Sequence, residues 1–462
     1  MAKRTIISGG ILGTESGALR ADLVIEGERI AAITLDAGDM QADERIDASG
    51  LLVMPGGIDV HTHFKEPNEP LIEGFHTGSM AAVAGGVTTV VEMPQATPVS
   101  SEGAHIEAKI LAAGRESLVD FALWGAAINQ DIDKIDEMIA AGVVGIKSFM
   151  AGSSPGFPAA SDATLLAVFE RLADTGIPYG LHAENDTLLQ AGINQMQAEG
   201  RCDPMAHALS RPPVVELEAI NRALFFADYT GGYAYICHVT VAESFAMIED
   251  ARARGVRVRG ETCPQYLLLS EEDLVKLGPF ARCAPPLRSL EDVEGLWSFV
   301  ADGVVDVISS DHCGYTIESK EAGRDDIFKA PLGLSGIQTM FPGVLDAMLN
   351  NRGLEVEDFV RLTSGNPAEI FSLYPRKGTL LVGSDADIAI YDPNASWTAH
   401  GADMLHRNKW TPMEGREIHA RVVRTIIRGE TVYRWENGHQ VLGHKGFGKF
   451  LRRGYGYQHE VL

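Results

Sequence analysis

The sequence predicts a closed parallel (β/α)8 barrel that carries a small β-sandwich built from both chain ends. Three observations predict it. Between residues 54 and 370, short apolar runs alternate eight times with amphipathic helical segments. The stretches on either side, 1–53 and 371–440, are both β-rich. His61 and His63 stand one residue apart at the end of the first run, and more histidines stand at the ends of later runs.

Taken in order, residues 5–10 read as a strand and a turn. Residues 21–25 and 29–34 alternate about Glu26-Gly27-Glu28, which is hairpin chemistry. Barrel strands are expected over 57–61, 88–93, 120–126, 145–149, 179–182, 234–238, 257–262 and 305–309. Helical periodicity fills the intervals, as over 162–175, 215–229 and 241–253. β structure returns at 386–391 and 422–428, then after the turn Gly429-Glu430 at 431–434. The economical division is 1–53 and 371–440 as two parts of one sandwich, with 54–370 as the barrel between them. Residues 441–462 are rich in glycine and aromatics and locally basic, and read as an arm over the body or a neighbouring subunit.

Composition narrows the function. The 462 residues are 45% hydrophobic and 22% charged, ordinary for a globular protein with a large core. With 39 basic and 63 acidic residues the net charge is -24, which argues against nucleic acid or an anionic membrane as partner. Five scattered cysteines without CxxC spacing suggest reduced thiols. No apolar run is long enough to span a bilayer, and Met1-Ala2-Lys3-Arg4 opens no signal-peptide core, so a cytoplasmic protein is expected.

The chemistry lies at the strand ends. Alternate residues on a strand share a side, so His61 and His63 can face one point, with Asp59 behind them. The fourth strand carries Lys147, the fifth ends in His182, the sixth in His238 and the eighth in Asp311. One histidine at a strand end is usually a satisfied structural residue. Five strand ends, each delivering a metal-competent or supporting group, argue for a metal site. Cys237, next to His238, is expected to face the opposite side of its strand.

Lys147 sits among Val143, Val144, Ile146 and Phe149, on a strand that should be buried. An isolated buried ammonium is costly, and metal cations would repel it. A neutral amine can instead add carbon dioxide and become a carbamate, an anion able to bridge two metals. Two divalent ions would then be offset by that carbamate, Asp311 and a bridging hydroxide, with four neutral histidines shared between them.

These residues resemble the amidohydrolase superfamily, specifically the cyclic amidohydrolases: hydantoinase, dihydropyrimidinase, allantoinase and dihydroorotase. The markers are Pro55-Gly56-Gly57-Ile58-Asp59-Val60-His61-Thr62-His63, Gly145-Ile146-Lys147-Ser148-Phe149-Met150, His182-Ala183-Glu184-Asn185, Cys237-His238-Val239 and Ser310-Asp311-His312. The resemblance implies that His61, His63 and Asp311 bind the more buried metal and His182 and His238 the more exposed one, with carbamylated Lys147 bridging them. It implies two zinc ions, with manganese or cobalt as substitutes. It implies hydrolysis of a cyclic amide C–N bond in a hydantoin-like ring, giving an N-carbamoyl amino acid. A hydroxide between the metals would attack the carbonyl, and Asp311 would carry its proton to the leaving nitrogen.

Within the family, Lys65 and Gln95 stand where dihydroorotases place an Arg and an Asn. No Tyr follows Lys147 where dihydropyrimidinases and D-selective hydantoinases have one. The run from Ser148 to Gly156 and the run Lys320-Glu321-Ala322-Gly323-Arg324-Asp325-Asp326 resemble the L-type hydantoinases most. Allantoinases come next, through Glu92-Met93-Pro94, Ser210-Arg211-Pro212 and Glu261-Thr262-Cys263-Pro264. Allantoin is therefore the alternative substrate, and dihydropyrimidine or dihydroorotate less favoured ones. A non-catalytic scaffold relative is disfavoured because all six ligand positions survive. The resemblance further implies a homo-oligomer, a tetramer or a dimer, and backbone recognition of the ring by Cys283 and by Leu332 or Gly333. Phe64, Gln95 and Phe157, on loops 64–74, 93–98 and 151–160, are the expected lining for the ring substituent.

Overall fold

A computed structural model of the chain describes residues 2–69, 71–129, 131–154 and 156–457. Eight parallel strands follow one another around a single sheet in sequence order. They are β1 (Gly57–Thr62), β2 (Val87–Glu92), β3 (Asp120–Ala126), β4 (Gly145–Phe149), β5 (Tyr179–His182), β6 (Ala234–Ile236), β7 (Val258–Thr262) and β8 (Val307–Ile308). Closure comes just past the strand ends, where Thr62 bridges His312 and the His63 amide donates to the His312 carbonyl at 2.8 Å. Every residue of β1 to β5 is buried, as strands covered on both faces require.

Two strands are shorter than expected by two residues or more, and β7 by one. β6 stops at Ile236 rather than 238, and β8 is only Val307–Ile308. The residues just beyond them leave strand geometry: His238 has φ 41° and Asp311 φ 48°. These left-handed turns spend backbone energy to aim two side chains, the kind of strain that collects at functional sites. The helices match their periodicity closely. The segment expected over 162–175 is helical over Asp162–Leu172, where Ser161 caps the first turn by accepting from the Thr164 amide.

Both chain ends build the second unit. A seven-stranded sheet places Leu52–Pro55 against Ile388–Asp392, so an early strand and a late one are antiparallel neighbours. A four-stranded sheet of Arg4–Ser8, Asp22–Glu26, Arg29–Thr34 and Glu44–Asp47 lies with it. Ile7, Leu23, Ile25, Val53, Ile388, Ile390 and Ile426 fill the core they share. Leu52–Pro55 runs almost directly into β1, which ties the sandwich to the strand bearing His61.

The end of the barrel opposite the strand C-termini is sealed from the chain's late segments. Phe121 and Lys449 to Leu451 exchange backbone hydrogen bonds at the start of β3. Leu451 is fully buried in one cluster with Val60, Trp124, Tyr235, Phe371 and Leu373. Beside it, Lys377 Nζ lies 2.6 Å from Asp120, 2.5 Å from Asp387 and 3.1 Å from Asp385. Arg428 also pairs with Asp120, so barrel, sandwich and arm meet in one buried ionic knot.

Candidate functional site

The six residues singled out as ligands converge at the C-terminal ends of the strands. His61 Nε2 and His63 Nε2 stand 3.3 and 3.2 Å from one oxygen of Asp311. His182 Nδ1 lies 2.9 Å from His238 Nε2. The His238 ring is 5.3 Å from that of His61, which joins the two groups. Lys147, fully buried, points its Nζ over the Phe149 ring at 5.1 Å, and Phe149 stacks on His182 at 5.0 Å.

A second layer of carboxylates orients these side chains. Glu261, at the end of β7, accepts from His61 Nδ1 at 2.7 Å, the Tyr235 hydroxyl at 2.7 Å and the His238 amide at 3.1 Å. With Nδ1 held by Glu261, His61 turns its Nε2 towards Asp311. Glu184 accepts from His182 Nε2 at 2.8 Å and is itself paired with Arg211. That leaves the Nδ1 lone pair of His182 facing His238. Asp59 holds Ser310 through its amide at 3.0 Å and its hydroxyl at 2.5 Å, fixing the turn that carries Asp311. Carboxylate-bound imidazoles of this kind are typical behind metal ligands. Sequence reading missed Glu184, Glu261 and Arg211 as members of the site. Glu184 was within reach, because it stands two residues after His182 and obeys the alternation used for His61 and His63.

The electrostatics follow from burial and from these partners. Burial alone would lower His61, but Glu261 and Asp311 outweigh it and hold the imidazole at about 10. His63 goes the other way, to about 3, chiefly through burial. His238 is pushed well below its usual value by burial, with His182 and Lys147 adding to the effect. Asp311 stays below the usual carboxylate range: burial opposes this, and the pull of His61 and His63 prevails. The cluster thus draws positive charge to a carboxylate while keeping most of its imidazoles neutral.

The donor set fits divalent metal ions. The donor atoms of His61, His63 and Asp311 lie within 4.8 Å of one another. Lys147 Nζ, His63 Nδ1 and His238 Nδ1 are buried polar atoms without a hydrogen-bond partner. Such atoms are costly unless something polar meets them. Neutral imidazoles with one carboxylate suit zinc and its neighbours among divalent ions.

Cys237 departs from expectation. Its sulfur lies with donor atoms of His61 and Glu261 within 4.8 Å of one another, on the site's own side of the sheet. Strict alternation fails because β6 has already ended and His238 has turned left-handed. Cys237 nonetheless packs as a core residue beside Trp124 and Tyr235.

A cavity of about 300 Å³ opens above the cluster. Gln95, Leu332 and Gly333 line it. Gln95 Nε2 donates to Ser153 Oγ at 2.5 Å across two mouth loops. Lys65, Arg211 and Arg282 give the wall a cationic side. Phe64 and Phe157, expected in the lining, stand behind it instead. Phe64 is wedged between Phe75 and His312, and Phe157 meets Phe149 edge-on at 4.6 Å. The amides of Phe64 and Lys65 are pinned to Glu92 and Lys65 is left-handed at φ 63°, so Phe64 turns inward and Lys65 takes the wall. Cys283 is also a layer back, behind Ala284, and its carbonyl accepts from His207 Nε2 at 2.7 Å. The Gly333 amide is engaged with the Arg282 carbonyl at 3.1 Å.

Comparison with known proteins agrees with this geometry. The model of the amidohydrolase family matches residues 52–432. An allantoinase of Rubrobacter xylanophilus is 40% identical over 449 residues, covering 97% of each chain. An L-hydantoinase of Paenarthrobacter aurescens is 37% identical over 445 residues, covering 96% of each. Among solved structures, the L-hydantoinase (dihydropyrimidinase) of Arthrobacter aurescens superposes with a TM-score of 0.95 at 36% identity, over 98% of this chain and 100% of that one. The dihydropyrimidinase of Brevibacillus agri gives 0.89 at 33% identity, over 97% and 98%.

Proposed function

Because this chain belongs to the amidohydrolase family, we propose that it is a cyclic amide hydrolase that opens a hydantoin-like ring to an N-carbamoyl amino acid. One observation carries the reading: His61, His63 and Asp311 converge beside the His182–His238 pair, with the unpartnered amine of Lys147 buried among them.

His61, His63 and Asp311 would hold one divalent ion and His182 and His238 a second, with Lys147 between them as a carbamate. Zinc suits these donors, and manganese or cobalt could replace it. When bound, the ions supply Lewis acidity, which makes water a nucleophile near neutral pH and polarises a ring carbonyl. Asp311 accepts the proton of the attacking water and returns it to the departing ring nitrogen, acting as base and then as acid. Glu261 and Glu184 keep His61 and His182 in their binding tautomers. Ala330 to Gly333 and Lys65, Gln95 and Arg211 line the same cavity; the first wall would border the ring and the second group would face its substituent.

Allantoin is a second reading. The polar side of the cavity, with Gln95, Ser153, Arg211 and Arg282, favours a hydrogen-bonding substituent over an aromatic one. The relative at 40% identity is named an allantoinase. The substrate is a small molecule in either case, and the assembly a homo-oligomer acting in the cytoplasm. Among the described residues, no helix is long and apolar enough to cross a membrane.

A hydrolysis panel tests both readings on one preparation whose metal content is measured. It contains 5-substituted hydantoins of both hands, allantoin, dihydrouracil and dihydroorotate. Turnover of a five-membered ureide with about two metals per chain is the expected result. Turnover of dihydroorotate alone refutes the assignment.

A further inference from the structure

Lys320 opens the run that resembles the L-type hydantoinases, and the metal cluster gives it no role. It is fully buried, on the short helix Ile317–Glu321. Its Nζ donates to the Arg282 carbonyl and to the Pro331 carbonyl, both at 3.0 Å, and lies 5.4 Å from the Trp410 ring. Those two carbonyls belong to different strips of backbone. One leads through Cys283 to Ala284, and the other runs from Ala330 to Gly333. Ala284 and all four residues of the second strip line the cavity. Arg282 laces the same strips from the other side, donating to the carbonyls of Phe328 and Ala330.

We propose that Lys320 is a positioning residue for substrate recognition, its buried amine setting the distance between the two backbone strips that border the ring. This inference rests on the reading of the cavity as a cyclic-amide site.

The chemistry of its surroundings supports the assignment. Among the described residues, no carboxylate is one of the groups acting on the amine. Burial pushes it down to about 7, and the Arg282 guanidinium repels it. The thiols of Cys283 and Cys313 also face it, but burial raises each to about 12, so at neutral pH they carry no charge to hold it. A buried amine in such a place is expensive to keep. An apolar residue of similar size would avoid that cost, but would leave the Pro331 carbonyl without this donor and weaken the hold on Arg282. The side chain therefore serves the two strips. Gly323, just past the same helix, lets the second strip approach: a Cβ there would meet Ala330 Cβ at 2.5 Å.

The test uses the full-length, metal-loaded enzyme and an unsubstituted hydantoin as probe. Lys320→Met should keep the wild-type metal content, hold kcat within about threefold, and raise KM roughly tenfold, the scale of one lost hydrogen bond. Lys320→Gln, which keeps an amide donor, should raise KM less. In Lys320→Ala, ethylamine should bring KM back towards wild type, and sodium chloride at equal ionic strength should not. An unchanged KM in both the Met and Gln variants overturns the proposal. So does a parallel loss of kcat, KM and metal, which would make Lys320 a general prop. A wild-type enzyme that opens no ureide at all refutes the reaction reading instead, and this inference falls with it.

Discussion

Lys147 and Lys377 are both buried in this barrel, one towards each end, and their surroundings differ completely. Lys377 is met by three carboxylates at 2.5 to 3.1 Å; burial alone would lower its pKa, but Asp120, Asp387 and Asp385 raise it well above normal. Lys147 has an aromatic ring, two neighbouring imidazoles, the charge of Asp311 within electrostatic reach and no hydrogen-bond partner. At the sealed end the charges are matched inside the protein, so the cluster can only hold the fold together. At the open end the protein leaves polar atoms for something else to satisfy. A buried charge completed from within reads as architecture, and one left incomplete reads as a site.

Substitutions should separate the two ends. Lys147→Ala is expected to have the largest effect, at least a loss of about a thousandfold in kcat/KM with the metals gone. A short carboxylic acid should restore part of both, and two-metal occupancy in the untreated variant would break the contrast. Asp311→Asn should cut turnover by about a hundredfold or more even with metal added back; full activity would remove the proton carrier from the scheme. Lys377→Met should do the reverse. It removes the cation shared by three carboxylates, of which Asp120 keeps Arg428 and Asp385 keeps Arg29 and Arg376, and should cost about 3–5 kcal/mol in denaturant unfolding, while metal content stays at wild type. Leu451→Ala, at the same end, should cost about 2–5 kcal/mol through the cavity it leaves.

The last test concerns Lys320. Its folded amine titrates at about 7 against an ordinary 10.5. Between those values the unfolded chain binds more protons, so the wild type gains stability as pH rises through that window. Lys320→Met should flatten the rise when urea midpoints of the two proteins are compared. Parallel curves would place the amine elsewhere on the pH scale.

The barrel and its metal cluster were legible because both follow short periods. Alternation within a strand and one ligand-bearing strand after another are patterns that a linear sequence displays. What alternation could not reach was set by departures from it. Lys65 turns left-handed and sends Phe64 into the core. His238 turns left-handed and lets Cys237 share its side of the sheet. Phe157 folds back against Phe149 on a loop whose path depends on tertiary contacts. Glu261 was visible only as a family marker, because its link to His61 joins residues 200 apart in the chain. Spacing within the chain cannot reveal such a pair.

The position of Leu451 has a consequence for how the molecule is made. The chain is synthesised from the N-terminus, and Leu451 leaves the ribosome long after β1 to β8. Until it arrives, the cluster around Trp124 and Tyr235 lacks one of its members, and the antiparallel match of Leu52–Pro55 with Ile388–Asp392 has formed only recently. Contacts this distant in sequence form slowly. The nascent barrel should therefore remain open to proteases until the arm has docked. Ribosome-bound chains stalled before residue 451, and stalled after it through a C-terminal linker long enough to clear the exit tunnel, would show this as a sharp change in resistance; equal resistance would mean that the barrel closes without this segment.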